Sequence, residues 1–488
     1  MKKKLLALLT ISLIHTGIIA QNLTVPTDQW PVIHQNNYGT KESPYPGPVS
    51  LNIQTEEYLN NKPVLMLQGN DYLYYQVSQL PYLYAFDPDD ITSGPVHQVY
   101  TGAWFPNMGG GMIDNLDNNW WNISGKLIRY NSTFTVVDSS QNYATNNGDP
   151  VPPVNGVSLL NGNRILASSI LNHAWILSTE LDSLSNVFPI LDTINFQNFI
   201  FNGDSIWLNT IQFNPRPILD DSGFVYLTGG DWLAKISFDT ATNKFNREIE
   251  WAFENPTAEV SEFTLSNPVI INNHICVSTT AEVNSYEELY VLNLNTGILE
   301  YSFTPFPNAL GVDALHTLGG IQSSNSLFAL GNSPDGNAGV ASYNLSTGLE
   351  LWPFVSLKNI SEAFCISSAN DKLYLSYSED ALSPFKIASI DLNSGISTDI
   401  YIDSTITALP TGHLGLIGSA GLIYPTPNGI IRLWNNIPTG IPTVSSQLNK
   451  PKLLKIIDLL GREVPPLKNT LQIYIYDDGS IEKKIILQ

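Results

Sequence analysis

Short apolar runs, each introduced by one or two turn-forming residues, recur along this chain, and almost no stretch holds the spacing of an amphipathic helix. The runs begin at Asn70-Asp71-Tyr72-Leu73-Tyr74, Asn118-Asn119-Trp120-Trp121, Gly162-Asn163-Arg164-Ile165-Leu166 and Ser222-Gly223-Phe224-Val225-Tyr226. They continue at Asn273-His274-Ile275-Cys276-Val277, Asn325-Ser326-Leu327-Phe328, Asp371-Lys372-Leu373-Tyr374-Leu375 and Ala420-Gly421-Leu422-Ile423-Tyr424. These eight copies lie about 45 to 60 residues apart, a period that marks a repeat architecture. A second element follows each hairpin: LNLNTG at Leu292 to Gly297, YNLSTG at Tyr343 to Gly348, and IDLNSG at Ile390 to Gly395. Weaker copies are FDTATN at Phe238 to Asn243 and AFDPDDITSG at Ala85 to Gly94. Each reads as a strand entering a turn, where Gly supplies positive φ and the Ser or Thr hydroxyl meets nearby amides. Aromatic residues such as Tyr301, Phe303 and Trp352 follow.

A chain of this length either splits into domains or stacks repeats around an axis. Strands punctuated by turns at this period predict four-stranded blades, hence an all-β propeller. The expected count is eight; seven is the alternative, because Leu422 to Tyr424, the Asn428-Gly429 turn and Ile430 to Trp434 leave few residues for a last blade. The pattern of aliphatic, Asp or Asn, Thr or Ser, Gly, then aromatic over residues 63–436 resembles the repeat of the pyrroloquinoline-quinone-like propellers. Trp30-Pro31, Asn36-Asn37 and Ser43-Pro44 to Pro48 are similar to the lead into that superfamily. Residues 21–62 are therefore expected to wrap the rim or to add a strand that closes the ring.

The chain end carries a different pattern. The apolar run Ile456 to Leu460 stops at Gly461, and Ile473 and Ile475 alternate with other residues before the hairpin turn signal Asp478-Gly479. A β unit this short is marginal alone, which favours a recognition role. Leu453, Leu454, Lys455, Asp458, Gly461, Arg462 and Glu463, then Tyr474, Tyr476, Asp477, Asp478, Gly479, Glu482, Lys483 and Lys484, resemble the type A C-terminal sorting domain of the Bacteroidota type IX secretion system. That resemblance implies the secretion machinery as partner and a secreted or outer-surface location. The amino terminus agrees: Lys2 to Lys4 precede the apolar stretch Leu5 to Ala20, which reads as a signal peptide cut between Ala20 and Gln21. That stretch is too short to serve as a membrane anchor, and no other segment is long and apolar enough to span. The expected order is signal peptide 1–20, lead segment 21–62, propeller 63–436, a Pro, Thr and Ser linker 437–450, and sorting domain 451–488.

Charge narrows the partners. Residues 21–449 hold 13 basic and 39 acidic side chains, a net charge of −26, whereas 450–488 hold seven basic and five acidic. Such a field opposes nucleic acid and anionic surfaces. Cys276 and Cys365, both inside apolar strands, read as buried free thiols. The quinoprotein dehydrogenases of the resembled superfamily carry a disulfide between adjacent cysteines and a calcium site. This chain has no adjacent cysteines, so no cofactor is expected, with calcium the one alternative. Its candidate ligands are Asp114 and Asp117, with Asn115, Asn118 and Asn119, in the run Gly109 to Trp121. The simpler reading of that run is a solvated turn, with at least one of Trp120 and Trp121 in the core and a sugar-stacking platform as the alternative.

His34, His97, His173, His274, His316 and His413 show no metal spacing, and they read as packed or surface residues. His34 in the lead segment and His316 in an inter-blade loop are the candidates for a general base aimed at the axial channel. The leading expectation is a secreted or surface propeller that binds a glycan, a protein or a divalent cation. The rivals are an extracellular hydrolase or lyase acting on a polymer, a structural or adhesion protein, and, last, a quinoprotein oxidoreductase. Catalytic and binding residues are not assigned by the sequence.

Overall fold

In the computed structural model the first strands of the blades gather around an axis, each the inner edge of its own antiparallel sheet except in blade 7, where a further short strand is added inside it. The structure describes residues 23–24, 39–49, 53–59, 63–77, 80–102, 108–123, 126–140, 154–169, 173–195, 199–206, 218–229, 232–256, 261–262, 268–281, 288–305, 315–332, 337–360, 364–380, 382–406, 415–435, 453–457, 462, 471–476 and 481–485. Among the described residues there are strands and turns but no α-helix, and thus no helix able to cross a membrane. The chain divides into two units, residues 1–435 and 436–488.

Unit one is an eight-bladed β-propeller. Blades 1 to 4 begin with Pro63–Gln68, Met108–Ile113, Val154–Leu160 and Ile218–Leu219; blades 5 to 8 begin with Val269–Ile271, Leu315–Ile321, Cys365–Ser367 and Leu416–Gly418. All eight hairpin elements of the sequence fall in the turn that joins a blade's first and second strands, here called the inner turn. The apparently short last blade is completed from the other end of the unit. Ile53–Tyr58 pairs antiparallel with Gly429–Asn435, from Ile53 opposite Asn435 to Tyr58 opposite Ile430. The lead segment thus supplies the ring-closing strand, which is why the last repeat looked truncated.

Burial follows distance from the axis. Second strands such as Leu73–Val77 and Asn119–Ile123 are buried at every position, because a neighbouring blade covers each face. Outer strands such as His97–Tyr100 and Val355–Lys358 alternate between half-buried and exposed. Trp120 and Trp121 point to opposite faces, yet both are wholly buried: Trp120 packs near Phe188 of blade 3, and Trp121 joins the cluster shared with blade 1. Neither is available to stack on a sugar.

The second repeated element sits between third and fourth strands in blades 5, 6 and 7 and fastens neighbouring blades together. There the Asn or Asp side chain, more than the Ser or Thr hydroxyl, satisfies the turn: Asn344 Oδ1 accepts from the Ser346 and Thr347 amides, and Asp391 Oδ1 from Asn393 and Ser394. Trp251 of blade 4 lies against Gly297 of blade 5 and donates from Nε1 to Leu294 O at 3.1 Å. Trp352 of blade 6 repeats this on Gly395 of blade 7, donating to Leu392 O at 2.9 Å. Phe238 to Asn243, the weaker copy, also lies between the third and fourth strands, here of blade 4: Asp239 Oδ1 accepts from the Ala241 amide, Asn243 takes the positive φ of +56°, and a small extra hairpin of Phe238–Asp239 with Lys244–Phe245 surrounds the turn.

Unit two contains a three-stranded antiparallel sheet of Leu453–Ile457, Leu471–Tyr476 and Ile481–Ile485. Ile475 stands opposite Ile481 at the end of its hairpin, and the Asp478-Gly479 turn signal lies outside the described residues.

Candidate functional site at the propeller axis

The axis is where a propeller gathers side chains from every blade, and here the chain places part of itself there. The lead segment touches the inner turns of blades 2 and 3 first: Thr24 N–H donates to Asn115 Oδ1 at 3.0 Å, and Leu23 N–H to Asn163 Oδ1 at 2.8 Å. Farther on, Glu42–Ser43 adds as a parallel strand to Cys365–Ser367, the first strand of blade 7. Gly39 lies close to Ile218 of blade 4 and the Pro268 carbonyl, and Gly320 N–H of blade 6 donates to Thr40 O at 2.9 Å. Ile366 N–H donates to Lys41 O at 2.9 Å, and Ser43 Oγ donates to Ile417 O of blade 8 at 2.7 Å. Toward the inner-turn face, Ser367 Oγ donates to Tyr45 O at 2.6 Å, Asn370 Nδ2 to Gly47 O at 2.8 Å, and Tyr374 OH to Pro48 O at 2.9 Å. Only a residue without Cβ passes Tyr374 at position 47, since a Cβ there would stand 2.6 Å from the ring. First-strand edges and carbonyls that would otherwise face the axis are thereby paired.

Lys41 is the chemically unusual member of this segment. Its backbone is left-handed at φ +59°, a conformation costing a non-glycine residue about 1 kcal/mol. Its side chain is 1% exposed, Nζ donates to Leu318 O of blade 6, and the ammonium lies 5.7 Å from the centre of the Phe364 ring. No carboxylate pairs with it among the described residues. Burial therefore lowers its pKa to about 7. Sequence reasoning missed Lys41, because Gly39 to Ser43 reads as a polar loop.

The residues singled out by sequence are scattered. His316 lies on the first strand of blade 6, at a bulge between Leu315 and Thr317, and not in an inter-blade loop. His274 Nε2 stands 3.0 Å from Glu300 Oε2 on the outer strand of its own sheet, and His97 Nε2 is 3.4 Å from Tyr72 OH. His34 and His413 lie outside the described residues. Asp114 is fully buried and meets protein donors: the Leu116 and Asn118 amides, Asn118 Nδ2, and Trp120 Nε1 at 2.8 Å. Asp117 accepts from Asn70 N–H, and burial raises its pKa. No group of three or more His, Cys, Asp or Glu side chains is arranged to hold a metal among the described residues. Cys276 and Cys365 are free, buried thiols whose pKa burial pushes up. Of the sorting residues, Tyr474 and Tyr476 lie on the middle strand of unit two, Lys483 and Lys484 on its last strand, and Arg462 is exposed. Asp458, Gly461, Asp477, Asp478 and Gly479 lie outside the described residues, as do Ala20 and Gln21.

No protein-family model matches this chain, and no curated protein does. Among solved structures it is similar to a europium-containing methanol dehydrogenase, at 10% identity and a TM-score of 0.56 over 83% of this chain and 91% of that one. It is also similar to BamB from Moraxella catarrhalis, at 12% identity and a TM-score of 0.49 over 79% of this chain and 100% of that one. At such identities the likeness shows the fold alone, and that fold is an eight-bladed β-propeller.

Proposed function

We propose that this protein is an exported propeller that acts by binding an extracellular ligand, and that type IX secretion machinery reads unit two to carry it to the cell surface. The observation that carries the binding reading is the axial segment. Where a hydrolase or lyase would gather acids and bases at this end of the channel, the chain's own Gly39 to Pro48 lies against backbone carbonyls, amides and hydroxyls. Support for export comes from the Lys2 to Ala20 leader and the motif residues from Leu453 to Lys484. Binding is expected to raise the unfolding midpoint of the purified full chain with one class of polysaccharide or with calcium, and not with pyrroloquinoline quinone. A ligand at 100 times its dissociation constant adds about 2.7 kcal/mol, roughly a degree or more for a chain this long. A rise with the quinone would replace this reading with an oxidoreductase. In a bacterium with a type IX system, the chain lacking residues 451–488 is expected to stay in the periplasm while the full chain reaches the surface. Equal surface display of both would end the sorting proposal.

A further inference from the structure

Blade 1 carries a concentration of tyrosines that its core does not need. The third strand, Tyr82–Phe86, pairs with the outer strand, His97–Tyr100, so that Tyr82 faces Tyr100 and Tyr84 faces Gln98. Strand alternation therefore puts Tyr82, Tyr84, Gln98 and Tyr100 on one face. The inner end of this face is filled by Tyr75, Phe86 and Tyr58 against blade 8, but the outer end is open. Tyr100 is 65% exposed, Tyr82 and Tyr84 are half-buried, and Gln98 is exposed. The Tyr82 and Tyr84 rings lie 6.0 Å apart with 31° between their planes, which makes a nearly continuous strip. Tyr100 stands 5.3 Å from Tyr82 at 63°, as a wall to that floor. Gly102 beside Tyr100 has no side chain to cover the ring. Burial, with the neighbouring Tyr58 and Tyr82, holds the Tyr84 phenol above its ordinary range, so it stays neutral.

We propose that this face is a glycan-binding platform for a neutral polysaccharide. The proposal rests on the binding reading above and gives it a place and a ligand class. A strip of rings offers the C–H face of a pyranose an apolar, weakly negative surface, and the phenols and the Gln98 amide offer hydrogen-bond partners to its hydroxyls. The ligand is neutral because this face of the two strands carries no charge, while residues 21–449, at a net charge of −26, repel uronic or sulfated polymers.

Affinity electrophoresis of the full chain through gels containing a β-glucan, a mannan, a starch-type α-glucan or alginate tests this. Retardation is expected in at least one neutral gel. Tyr82→Ala and Tyr100→Ala are each expected to weaken it about tenfold or more, and Tyr100→Phe to retain it. An unchanged unfolding midpoint for Tyr100→Ala, an exposed position, shows that folding is not the cause. No retardation by any neutral gel, strongest retardation by alginate, or retardation indifferent to both alanine variants overturns the platform. If another ligand stabilises the full chain and both variants equally, the binding reading stands and this site falls.

Discussion

A chain that begins at Leu59 loses the cooperative unfolding of the propeller. The omitted residues 39–58 provide both the closing strand of blade 8 and the segment at the axis, so their removal acts at two places. At the rim it leaves a bare edge along Gly429–Asn435 and removes Glu56 from Arg432. Arg432 is 8% exposed, donates to Ala420 O and Asp89 Oδ1, both at 2.8 Å, and lies 4.3 Å over the Trp434 ring; it would keep Asp89 but lose its second carboxylate. At the axis, the amides of Gly320, Ile366 and Ser368 lose their acceptors. Unpaired buried amides cost about 1 to 3 kcal/mol each, so the sum reaches the roughly 5 to 15 kcal/mol that ordinarily separates folded from unfolded chains. Denaturant unfolding followed by tryptophan fluorescence should show a broad, non-cooperative transition, and a peptide of residues 39–58 added in trans should restore a sharp one. Gly429→Ala is the milder form of the same lesion, because a Cβ there strikes the Tyr58 carbonyl; it should cost about 1 to 3 kcal/mol. An unchanged midpoint in the shortened chain would mean that the ring closes without this strand.

The repeat was legible because each blade restarts with the same chemistry: turn residues, then an apolar run covered on both faces. Blade count became legible only through pairing, since no spacing rule links Ile53–Tyr58 to Gly429–Asn435, almost four hundred residues away. The aromatic position after the Gly turn was readable, but its partner was not. A repeat pattern reports spacing within a blade, whereas Trp251 and Trp352 dock on the glycine of the blade that follows. At least one of Trp120 and Trp121 was legible as core from strand alternation, but not both, because alternation normally implies a wet face; a blade has none near the axis. The axial segment escaped notice for the opposite reason: Thr40, Lys41 and Ser43 are polar, and only the surrounding carbonyls make their burial tolerable. The tyrosine face was hidden in a run that reads simply as strand.

Lys41→Met should stabilise the protein in mildly acidic buffer and lose that advantage as the buffer becomes alkaline. The amine titrates near 10.5 in the unfolded chain and near 7 when folded, because burial disfavours its charge and no carboxylate offsets it. Between those values the unfolded state binds a proton that the folded state lacks, so the stability of the parent protein rises with pH across that window. Below pH 7 the full penalty is present, on the order of 5 kcal/mol at 1.36 kcal/mol per unit; above about 10.5 it is gone. Methionine keeps the side-chain stem but leaves the Leu318 carbonyl without its donor, which costs about 1 to 3 kcal/mol at every pH. The net expectation is a gain of about 2 to 4 kcal/mol at pH 6, which turns into a small loss by pH 10. Denaturant midpoints of both proteins from pH 6 to pH 10 should therefore converge and then cross. Parallel curves would show that the Lys41 ammonium keeps its charge in the folded state, and with it that the axial segment leaves room for water or a counter-charge beside Leu318.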